Sequence, residues 1–378
     1  MRFIHTADWQ LGMPAHFLAQ EAAVRFQQAR LDALARIGDV AAREGAAFVV
    51  VAGDVFDTNL LSPQTVARAA AAMGRIPVPV LLLPGNHDPL DPTTIYRRPD
   101  FLSQLPPNVR VLSEPGVQAD LADVLPPGVE VVAAPWTSRH PADNPLHAAL
   151  RDLPPAVGAV RIAVGHGGVD AVGGRDELDI LRLEALRQAV GERRVHYVAL
   201  GDRHSTTRLD GEGRIFYAGT PEPTAFDEVD PGNVLVVDID AAGVAVRPVR
   251  VATWRFVAER FDLARGEDVE ALAEWLWRLA DKERTAVRLE VTGAVTLEGR
   301  RRLDQALEDA GAGLASLDLR TSGLLVRPDE EDLTSLAPGS LARRVAERLR
   351  AEMAGEDREQ ASVAEAALAL LLRLGAGA

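Results

Sequence analysis

The segment HTADWQLG, residues 5–12, follows a short apolar run and carries a carboxylate at Asp8 and an amide at Gln10. Side chains two positions apart on an extended chain point to the same side, so both oxygens can face one ligand. Polar residues at the end of a buried strand are where open α/β sheets usually bind ligands. The segment therefore predicts a strand end, an α/β fold and a metal-binding edge.

The same arrangement, a β-branched run that stops at a glycine or a polar cluster, recurs along residues 1–250. The runs are FVVVAGD (48–54), VPVLLLPGNHD (78–88), VRIAVGHGG (160–168) and VHYVALGDRH (195–204). Short, continuous apolar runs are typical of strands buried on both faces. Helical stretches lie between them at 18–43 and 63–75, where Ser62 and Pro63 supply an N-cap and a first-turn proline. We therefore predict a layered α/β domain over residues 1–250.

Composition excludes several classes of function. The chain has 378 residues, 41 Lys and Arg against 55 Asp and Glu, and a formal net charge of −14. Such a chain does not bind nucleic acid through its overall field, so phosphate contacts must come from local arginines or bound metal. The absence of cysteine excludes disulfides, zinc ribbons and thiol catalysis. Since no signal-peptide core or membrane-length apolar run is found, a soluble, cytoplasmic protein is expected.

Residues 253–327 have the pattern of a small α+β domain. Its expected elements are a helix with an apolar face at Leu272, Trp275, Leu276 and Leu279, a strand at 286–293, a helix around 297–310 and a strand at 314–320. The acidic segment 328–340, which contains two prolines, predicts a linker.

The last segment, residues 338–378, has the pattern of two helices. Its apolar positions are Leu341, Val345, Leu349 and Met353, followed by a Leu/Ala-rich stretch at 363–374. Because the linker separates these helices from the preceding domain, they need not pack on its core. Their apolar face favours docking against a partner helix pair, and the alternative is a terminal helix folded back to complete the domain.

Polar side chains at the predicted strand ends form a candidate site. Five segments contribute carboxylate, amide or imidazole groups: Asp8, Gln10, Asp54, Asn86, His87, Asp88, His166, Asp202 and His204. That set suffices for two divalent cations, with one carboxylate bridging them and oxygen and nitrogen donors on either side. In four segments a glycine directly precedes a candidate ligand, where the backbone must come close to an ion. Each fragment alone is common, but the ordered set is specific.

The order D-x-Q, GDVFD, GNHD, GHGG and GDRH resembles the calcineurin-like metallophosphoesterases, and more closely the SbcD-type DNA repair nucleases of that superfamily. HTADWQLG and GDVFD are typical of the SbcD branch rather than of small-molecule phosphatases. The resemblance spans most of residues 1–250 and implies a layered sandwich of two mixed sheets flanked by helices. It also implies a capping domain at 253–327 and a helical tail at 338–378 that docks on an SMC-like ATPase of the SbcC type.

The resemblance further implies roles for the site residues. The expected ligands form two overlapping groups: Asp8, Gln10, Asp54 and His204 for one metal, and Asp54, Asn86, His166 and Asp202 for the other. His87 is expected to face the scissile phosphate, stabilising charge or protonating the leaving oxygen, while Asp88 orients its imidazole. The expected nucleophile is a water activated by both cations.

Two positions depart from the family pattern, which has histidine where this chain has Gln10 and Asp202. Each metal therefore loses one imidazole and gains one oxygen donor, which favours Mn²⁺, or Mg²⁺, over Zn²⁺. The exchange either retunes the site or weakens it. Gln10 as an outer neighbour of the metal and Asp202 as a turn cap are the alternatives.

Other polar residues receive structural or surface roles. His5 is expected within the sheet, bonded to a backbone carbonyl, and Asp57 is expected to cap the loop after GDVFD. A group of arginines near the predicted loops either holds DNA phosphates or is simply solvated: Arg97, Arg98, Arg139, Arg203 and Arg208.

Three functions are compatible with these residues. The leading one is a metal-dependent DNA nuclease, acting in double-strand-break repair with an SMC-like ATPase and expected to be a homodimer. The second is a phosphodiesterase or phosphatase for a small nucleotide, against which the capping domain and the helical tail argue. The third is a catalytically weakened scaffold subunit, which would have no use for His87 and Asp88.

Overall fold

The computed structural model describes residues 1–172, 179–327, 340–355 and 357–375 and divides into two compact units, Met1–Arg255 and Phe256–Ala378. The strands of the first unit are β1 (Arg2–Thr6), β2 (Val49–Val51), β3 (Val80–Leu82), β4 (Val109–Val111), β5 (Gly116–Val117), β6 (Val129–Ala133), β7 (Val160–His166), β8 (Tyr197–Gly201), β9 (Thr207–Arg208), β10 (Ile215–Tyr217), β11 (Asn233–Asp240) and β12 (Gly243–Arg250). Its α-helices are α1 (Gln20–Glu44), α2 (Pro63–Met73), α3 (Pro99–Leu102), α4 (Pro145–Arg151) and α5 (Leu183–Gly191).

Within the described ranges, these strands form two mixed sheets of six strands each. In the order β12-β11-β1-β2-β3-β4, the strands from β1 to β4 are parallel, and β11 is antiparallel to both of its neighbours. In the order β5-β6-β7-β8-β10-β9, the four central strands are parallel and the two edge strands are antiparallel. The predicted layered α/β sandwich of two mixed sheets flanked by helices is confirmed.

Successive side chains of each strand point to opposite faces of the sheet, which explains why helices cover both sheets. Around β2, Val49 and Val51 join a buried cluster with α1 and α2. Phe48 and Val50 point the other way and join a cluster with residues of the second sheet. The outer face of that second sheet packs on α4 and α5. Because both faces of each sheet are buried, the strands read as continuous apolar runs.

The two predicted helices at 18–43 and 63–75 correspond to α1 and α2. Ser62 caps α2 by accepting a hydrogen bond from the Thr65 backbone N–H at 3.2 Å, and Pro63 occupies the first turn. Local sequence signals therefore set this helix start.

The second unit contains β13 (Arg255–Leu263, beginning one residue before the division), α6 (Gly266–Arg278), β14 (Thr285–Val295), α7 (Leu297–Gly311), β15 (Ser316–Val326), α8 (Leu341–Met353) and α9 (Arg358–Gly375). In its described part, the sheet order is β13-β14-β15, and α7 connects the parallel strands β14 and β15. Leu272 and Leu276 of α6 are buried with Leu289 of β14 and Leu303 of α7. The helices and strands predicted for 253–327 are thus present.

Helices α8 and α9 pack against each other around Ala346 and Leu368. Leu297, at the start of α7, packs on the same cluster, so the helical pair contacts the preceding α+β part of the second unit. Residues 328–339, most of the predicted linker, lie outside the described residues. Neither this pair nor any other helix in the described ranges has the length and hydropathy needed to cross a membrane.

The end of the first unit is held by one buried carboxylate. Glu222 has a fully buried side chain and pairs with Arg36, whose Nη2 lies 2.5 Å from Glu222 Oε1. The backbone N–H groups of Thr253 and Trp254 donate to the same carboxylate at 3.0 to 3.1 Å. The Glu222 carboxylate therefore helps to fix Thr253 and Trp254 at the end of the unit.

Glu222→Gln should lower the free energy of unfolding of the first unit by about 2 kcal/mol, because it removes the charge of a buried carboxylate that accepts hydrogen bonds from Arg36 and two backbone N–H groups. Urea unfolding followed by tryptophan fluorescence measures the change. The matched control is Glu21→Gln, which removes an 88% exposed carboxylate from an ion pair with Arg25 and should leave the transition unchanged. Equal midpoints for both variants would contradict the assignment.

Candidate metal centre

The predicted ligands lie at the carboxyl ends of parallel strands from both sheets. β1 leads to Asp8 and Gln10, β2 to Asp54, β3 to Asn86, β7 ends at His166, and β8 leads to Asp202 and His204. Carboxylate oxygens of Asp8 and Asp54 and a ring nitrogen of His166 all lie within 4.8 Å of one another. The fold thus gathers groups that are far apart in the sequence at one shared edge of the two sheets.

His166 is the centre of one half of the site. Its Nε2 lies 2.8 Å from Asn86 Oδ1, 3.4 Å from Asp54 Oδ1 and 3.7 Å from Asp202 Oδ1. Its Nδ1 lies 2.8 Å from the Ala52 carbonyl oxygen and donates a hydrogen bond to it. This bond orients the ring so that Nε2 faces the three oxygens. One imidazole and three oxygens from these residues form a donor set that suits a divalent cation.

The other half of the site contains Asp8, Gln10 and His204. Gln10 Nε2 lies 3.1 Å from His204 Nε2. The Asp8 carboxylate accepts hydrogen bonds from the Asp202 backbone N–H at 3.1 and 3.2 Å, which ties the ends of β1 and β8 together. The nitrogen of the Gln10 amide faces His204, so rotation about the terminal bond is required to present its oxygen to a cation shared with that ring.

The backbone of these loops is strained. Four of the seven predicted ligands, all of which the structure describes, have positive φ: Asp8 (52°), Gln10 (43°), Asp54 (51°) and Asp202 (99°). Non-glycine residues rarely adopt this region, at a cost of about 1–3 kcal/mol each. The β1 and β2 loops hold each other, since Asp8 N–H donates to the Gly53 carbonyl and Gln10 N–H donates to the Asp54 carbonyl. Such strain is characteristic of functional sites.

Two glycines make room for ligand side chains. Gly53 has φ 96°, and a Cβ there would collide with the His166 imidazole. A Cβ on Gly85 would collide with the carboxylate of Asp54. The sequence pattern predicted a close approach between backbone and ion, whereas at these positions the close approach is between backbone and ligand side chain.

Arg30 of α1 supports the first loop from behind. Its side chain is buried, and it donates to the carbonyl oxygens of Trp9 and Glu222 at 3.2 Å and of Asp8 at 3.5 Å. Thr220 Oγ1 donates to the same Asp8 carbonyl at 2.9 Å. Burial lowers the pKa of Arg30 to about 10, so it remains charged at neutral pH. These bonds stabilise the strained conformation at Asp8.

His87 lies beside Asp54. The His87 backbone N–H donates to Asp54 Oδ1 at 3.0 Å, and its Nε2 lies 4.0 Å from Asp54 Oδ2. Its side chain is 44% exposed, and its Nδ1 lies 3.0 Å from the carbonyl oxygen of Asp57. The Asp57 carbonyl, therefore, orients the imidazole.

The prediction that Asp88 orients the His87 imidazole is wrong. Its buried carboxylate accepts hydrogen bonds from the Gly85 N–H (2.7 Å), the Phe56 N–H (2.9 Å) and the Tyr96 hydroxyl (2.6 Å). Burial and the nearby Asp54 carboxylate raise the pKa of Asp88 to about 6, against the effect of these three donors. Asp88 thus braces the GNHD turn against the GDVFD loop instead of contacting the His87 ring.

Other supporting residues lie outside the motifs, and sequence reasoning missed them. The indole of Trp136 and the side-chain amide of Asn144 each donate to the His166 carbonyl at 2.9 Å. Asn144 precedes Pro145, which signals a helix start but not a contact with His166. Tyr96 carries no motif signal at all. Only the packing of distant segments reveals these contacts.

Electrostatics favour a cation at this site. Burial raises the pKa of Asp8 to about 7, although His204 and His166 oppose the change. Burial lowers the pKa of His166, but the charges of Asp54, Asp202 and Asp8 outweigh it and raise that pKa to about 9. Burial likewise raises the pKa of Asp202. Clustered buried acids that retain protons in this way are a good fit for divalent cations, which would replace those protons.

A cavity of about 640 Å³ opens beside the site. Asn86, Asp202 and His204 line it together with the apolar side chains of Trp136 and Ile180. A molecule in this cavity would therefore contact predicted ligands from both halves of the site.

The arginines near the loops differ in availability. Arg98, Arg203 and Arg208 donate to carbonyl or hydroxyl oxygens of neighbouring residues, which gives them structural roles. Arg97 is exposed, and Arg139 lines the cavity, as does Arg203, whose guanidinium already donates to Thr207 and Val172. Arg139 is thus placed to meet a phosphate that enters the cavity.

The structural role predicted for His5 is confirmed. Its Nε2 lies 3.2 Å from the Leu200 carbonyl oxygen, and its Nδ1 lies 3.0 Å from the Tyr197 hydroxyl. Burial lowers the pKa of His5 to about 3, so the ring is neutral.

Comparison with known proteins agrees with the motifs. The sequence profile of the family described as calcineurin-like phosphoesterase matches residues 1–206. The chain is 29% identical to the SbcD subunit of nuclease SbcCD from Rhodobacter capsulatus over 92% of this chain and 93% of the relative. It is 27% identical to the protein of the same name from Escherichia coli K12, over 60% of this chain and 62% of that relative. A solved structure, TT1561 of Thermus thermophilus, is 12% identical with a TM-score of 0.40, covering 66% of this chain and 99% of that one. The resemblance to SbcD-type nucleases is confirmed.

Metal affinity should fall as the pH is lowered from about 8 to about 6, because cations compete with protons for the same ligands. His166, with a pKa of about 9, is protonated throughout this range, and Asp8 gains its proton as the pH falls through about 7. Mn²⁺ affinity should therefore drop about tenfold per pH unit near pH 8, and more steeply below pH 7, where a second proton is displaced. Calorimetry in two buffers of different ionisation enthalpy counts the protons released. A pH-independent affinity would contradict this interpretation.

Proposed function

Because the chain belongs to the calcineurin-like phosphoesterase family, we propose that it is a metal-dependent nuclease that hydrolyses phosphodiester bonds of DNA at a two-metal site. The observation that carries the proposal is the cluster of Asp8, Asp54 and His166, whose ligand atoms lie within 4.8 Å of one another. The SbcCD nuclease relative from Rhodobacter capsulatus, which aligns with 92% of this chain, supports DNA as the substrate. The proposed setting is double-strand-break repair in the cytoplasm.

In this proposal, the Asp54 carboxylate would be a ligand common to both cations. Its carboxylate lies 3.4 Å from His166 Nε2 in one half of the site and within 4.8 Å of the Asp8 carboxylate in the other. When bound, the cations polarise the phosphate and activate water for attack on phosphorus. Mn²⁺ is the favoured metal and Mg²⁺ the alternative, since Gln10 and Asp202 supply oxygen where the family pattern has imidazole.

His87 is proposed as the general acid. Because Nδ1 pairs with the Asp57 carbonyl, it carries a hydrogen, and Nε2 is left to meet the substrate. As an imidazolium, His87 donates its Nε2 proton to the leaving oxygen or stabilises charge on the phosphate. Its partial exposure allows this contact, whereas the buried Asp88 acts only by holding the turn.

The function is tested by titrating the full chain with Mn²⁺, Mg²⁺ or Zn²⁺ and assaying double-stranded DNA, single-stranded DNA and bis-p-nitrophenyl phosphate. We expect DNA hydrolysis with Mn²⁺ or Mg²⁺ and poor turnover with Zn²⁺. Hydrolysis of bis-p-nitrophenyl phosphate without cleavage of DNA would favour the phosphodiesterase alternative. Metal binding without hydrolysis of any substrate would favour the scaffold alternative.

His87→Ala should lower kcat on DNA by about 10²–10⁴-fold, the usual contribution of a general acid. Both metals should remain bound, because His87 is not among the proposed ligands. Metal content of the purified variant, measured beside its kinetics, separates the two effects. Loss of one ion, or a rate near that of the unsubstituted chain, would show that His87 has another role.

We also propose that α8 and α9 dock on an SMC-like ATPase of the SbcC type. The relatives are named as one subunit of a larger nuclease, which supports a partner. The helical pair leaves apolar side chains uncovered: Leu341 is 70% exposed, Val363 66%, Leu370 48% and Val345 37%. A homodimer through the phosphoesterase domain, as the family resemblance implies, completes the proposed assembly.

Leu341→Glu combined with Val345→Glu should abolish co-purification with this ATPase while leaving the chain folded and able to bind metal, because both side chains are exposed. Removal of the whole tail is a poorer test, since it uncovers Leu297. The control is Glu347→Gln, an exposed position elsewhere on α8 that should leave binding intact. Undiminished binding by the double variant would place the contact elsewhere.

A further inference from the structure

The imidazole of His204 is held at both of its nitrogens. Nδ1 lies 2.6 Å from Thr224 Oγ1 and 2.9 Å from Glu228 Oε1. Nε2 lies 3.1 Å from the side-chain amide of Gln10. The ring therefore connects the β1 loop to the segment at 224–229.

The carboxylate of Glu228 is itself fixed in place. Its side chain is 6% exposed and accepts hydrogen bonds from the Thr224 backbone N–H at 3.0 and 3.2 Å and from the Thr224 hydroxyl. The next residue, Val229, donates its N–H to Ser205 Oγ at 2.8 Å. The segment is thus attached to the β8 loop at two adjacent points, and the carboxylate does not depend on His204 for its position.

From this arrangement we infer that Glu228 is a positioning residue for His204. Its carboxylate can only accept, so it takes the Nδ1 hydrogen and fixes the tautomer with an unprotonated Nε2. That lone pair faces Gln10, which belongs with His204 to the proposed ligand group of Asp8, Gln10, Asp54 and His204. Thr224 supports the same tautomer, because its hydroxyl hydrogen is donated to Glu228 and its oxygen can then only accept from Nδ1. The inference rests on the proposed function only in taking His204 as a metal ligand.

Gln10 makes the tautomer of His204 consequential. In the proposed group of Asp8, Gln10, Asp54 and His204, this ring is the single nitrogen ligand. With the hydrogen on Nε2, the group would retain only oxygen donors. Carboxylates bonded to the distal nitrogen of a metal-binding histidine orient the ring and make it a stronger ligand, and their removal costs about 10–100-fold in metal affinity.

The test is Glu228→Gln in the full chain. Long-range ¹H–¹⁵N spectra of histidine-labelled, metal-free protein should show His204 as the Nδ1–H tautomer before substitution and a larger share of Nε2–H in the variant. Mn²⁺ affinity measured by calorimetry should fall by about 10–100-fold. The matched control is Asp227→Asn, which removes the same charge from the adjacent, exposed position and should change affinity by no more than about twofold.

Thr224→Val provides a second variant if Glu228→Gln fails to fold. It retains the carboxylate, so His204 should keep the Nδ1–H tautomer. An Nε2–H tautomer in the unsubstituted chain, or in Thr224→Val, would overturn the inference, as would equal losses of affinity in Glu228→Gln and Asp227→Asn. A chain that cleaves no DNA but shows the Glu228→Gln effects would overturn the proposed nuclease function and support the positioning role.

Discussion

The site depends on one constraint: two buried carboxylates, Asp8 and Asp54, lie next to His166. Strands from two different sheets bring them together. Charged groups removed from water require a compensating charge, and a protein supplies it with protons, with its own cations or with metal. Here burial raises the pKa of Asp8 to about 7, while the charges of Asp54, Asp202 and Asp8 outweigh burial and raise the pKa of His166 to about 9, so both groups hold protons near neutral pH. Divalent cations satisfy the same demand and also supply the Lewis acidity that phosphodiester hydrolysis needs.

Keeping these groups together requires support from outside the motifs. Four of the ligands have strained backbone conformations, and buried polar side chains support the ligand segments. Arg30 and Thr220 donate hydrogen bonds to the backbone carbonyl of Asp8. Asp88 holds the GNHD turn through the Gly85 N–H, and Glu228 holds the imidazole of His204. Such partners restrict the rotamers of the reacting groups and so define the geometry that a bound phosphate encounters.

Much of this organisation is local and was predictable. Apolar runs that end in glycine and polar residues identified the strands, and Ser62 with Pro63 identified a helix start. The motifs also identified which residues gather at the sheet edge, because parallel strands place their carboxyl ends together. The family resemblance implied that Asp88 orients His87, whereas in this chain Asp88 accepts from the Gly85 N–H and the Asp57 carbonyl orients the imidazole. The linker pattern left open whether the terminal helices pack on the domain before them, and the structure places Leu297 against their buried residues.

The sequence by itself determined the layered fold, the family and the residues at the strand ends, since hydrophobic periodicity and short motifs are encoded within a few neighbouring positions. Only the tertiary structure decided which groups hold those residues in place. The His87 imidazole pairs with the Asp57 carbonyl, and Asp88 accepts a hydrogen bond from the Tyr96 hydroxyl. The His204 imidazole pairs with the Glu228 carboxylate. These choices depend on distances between segments that are far apart in the chain, and a hydrogen bond forms only where both partners arrive within about 3 Å in the correct orientation.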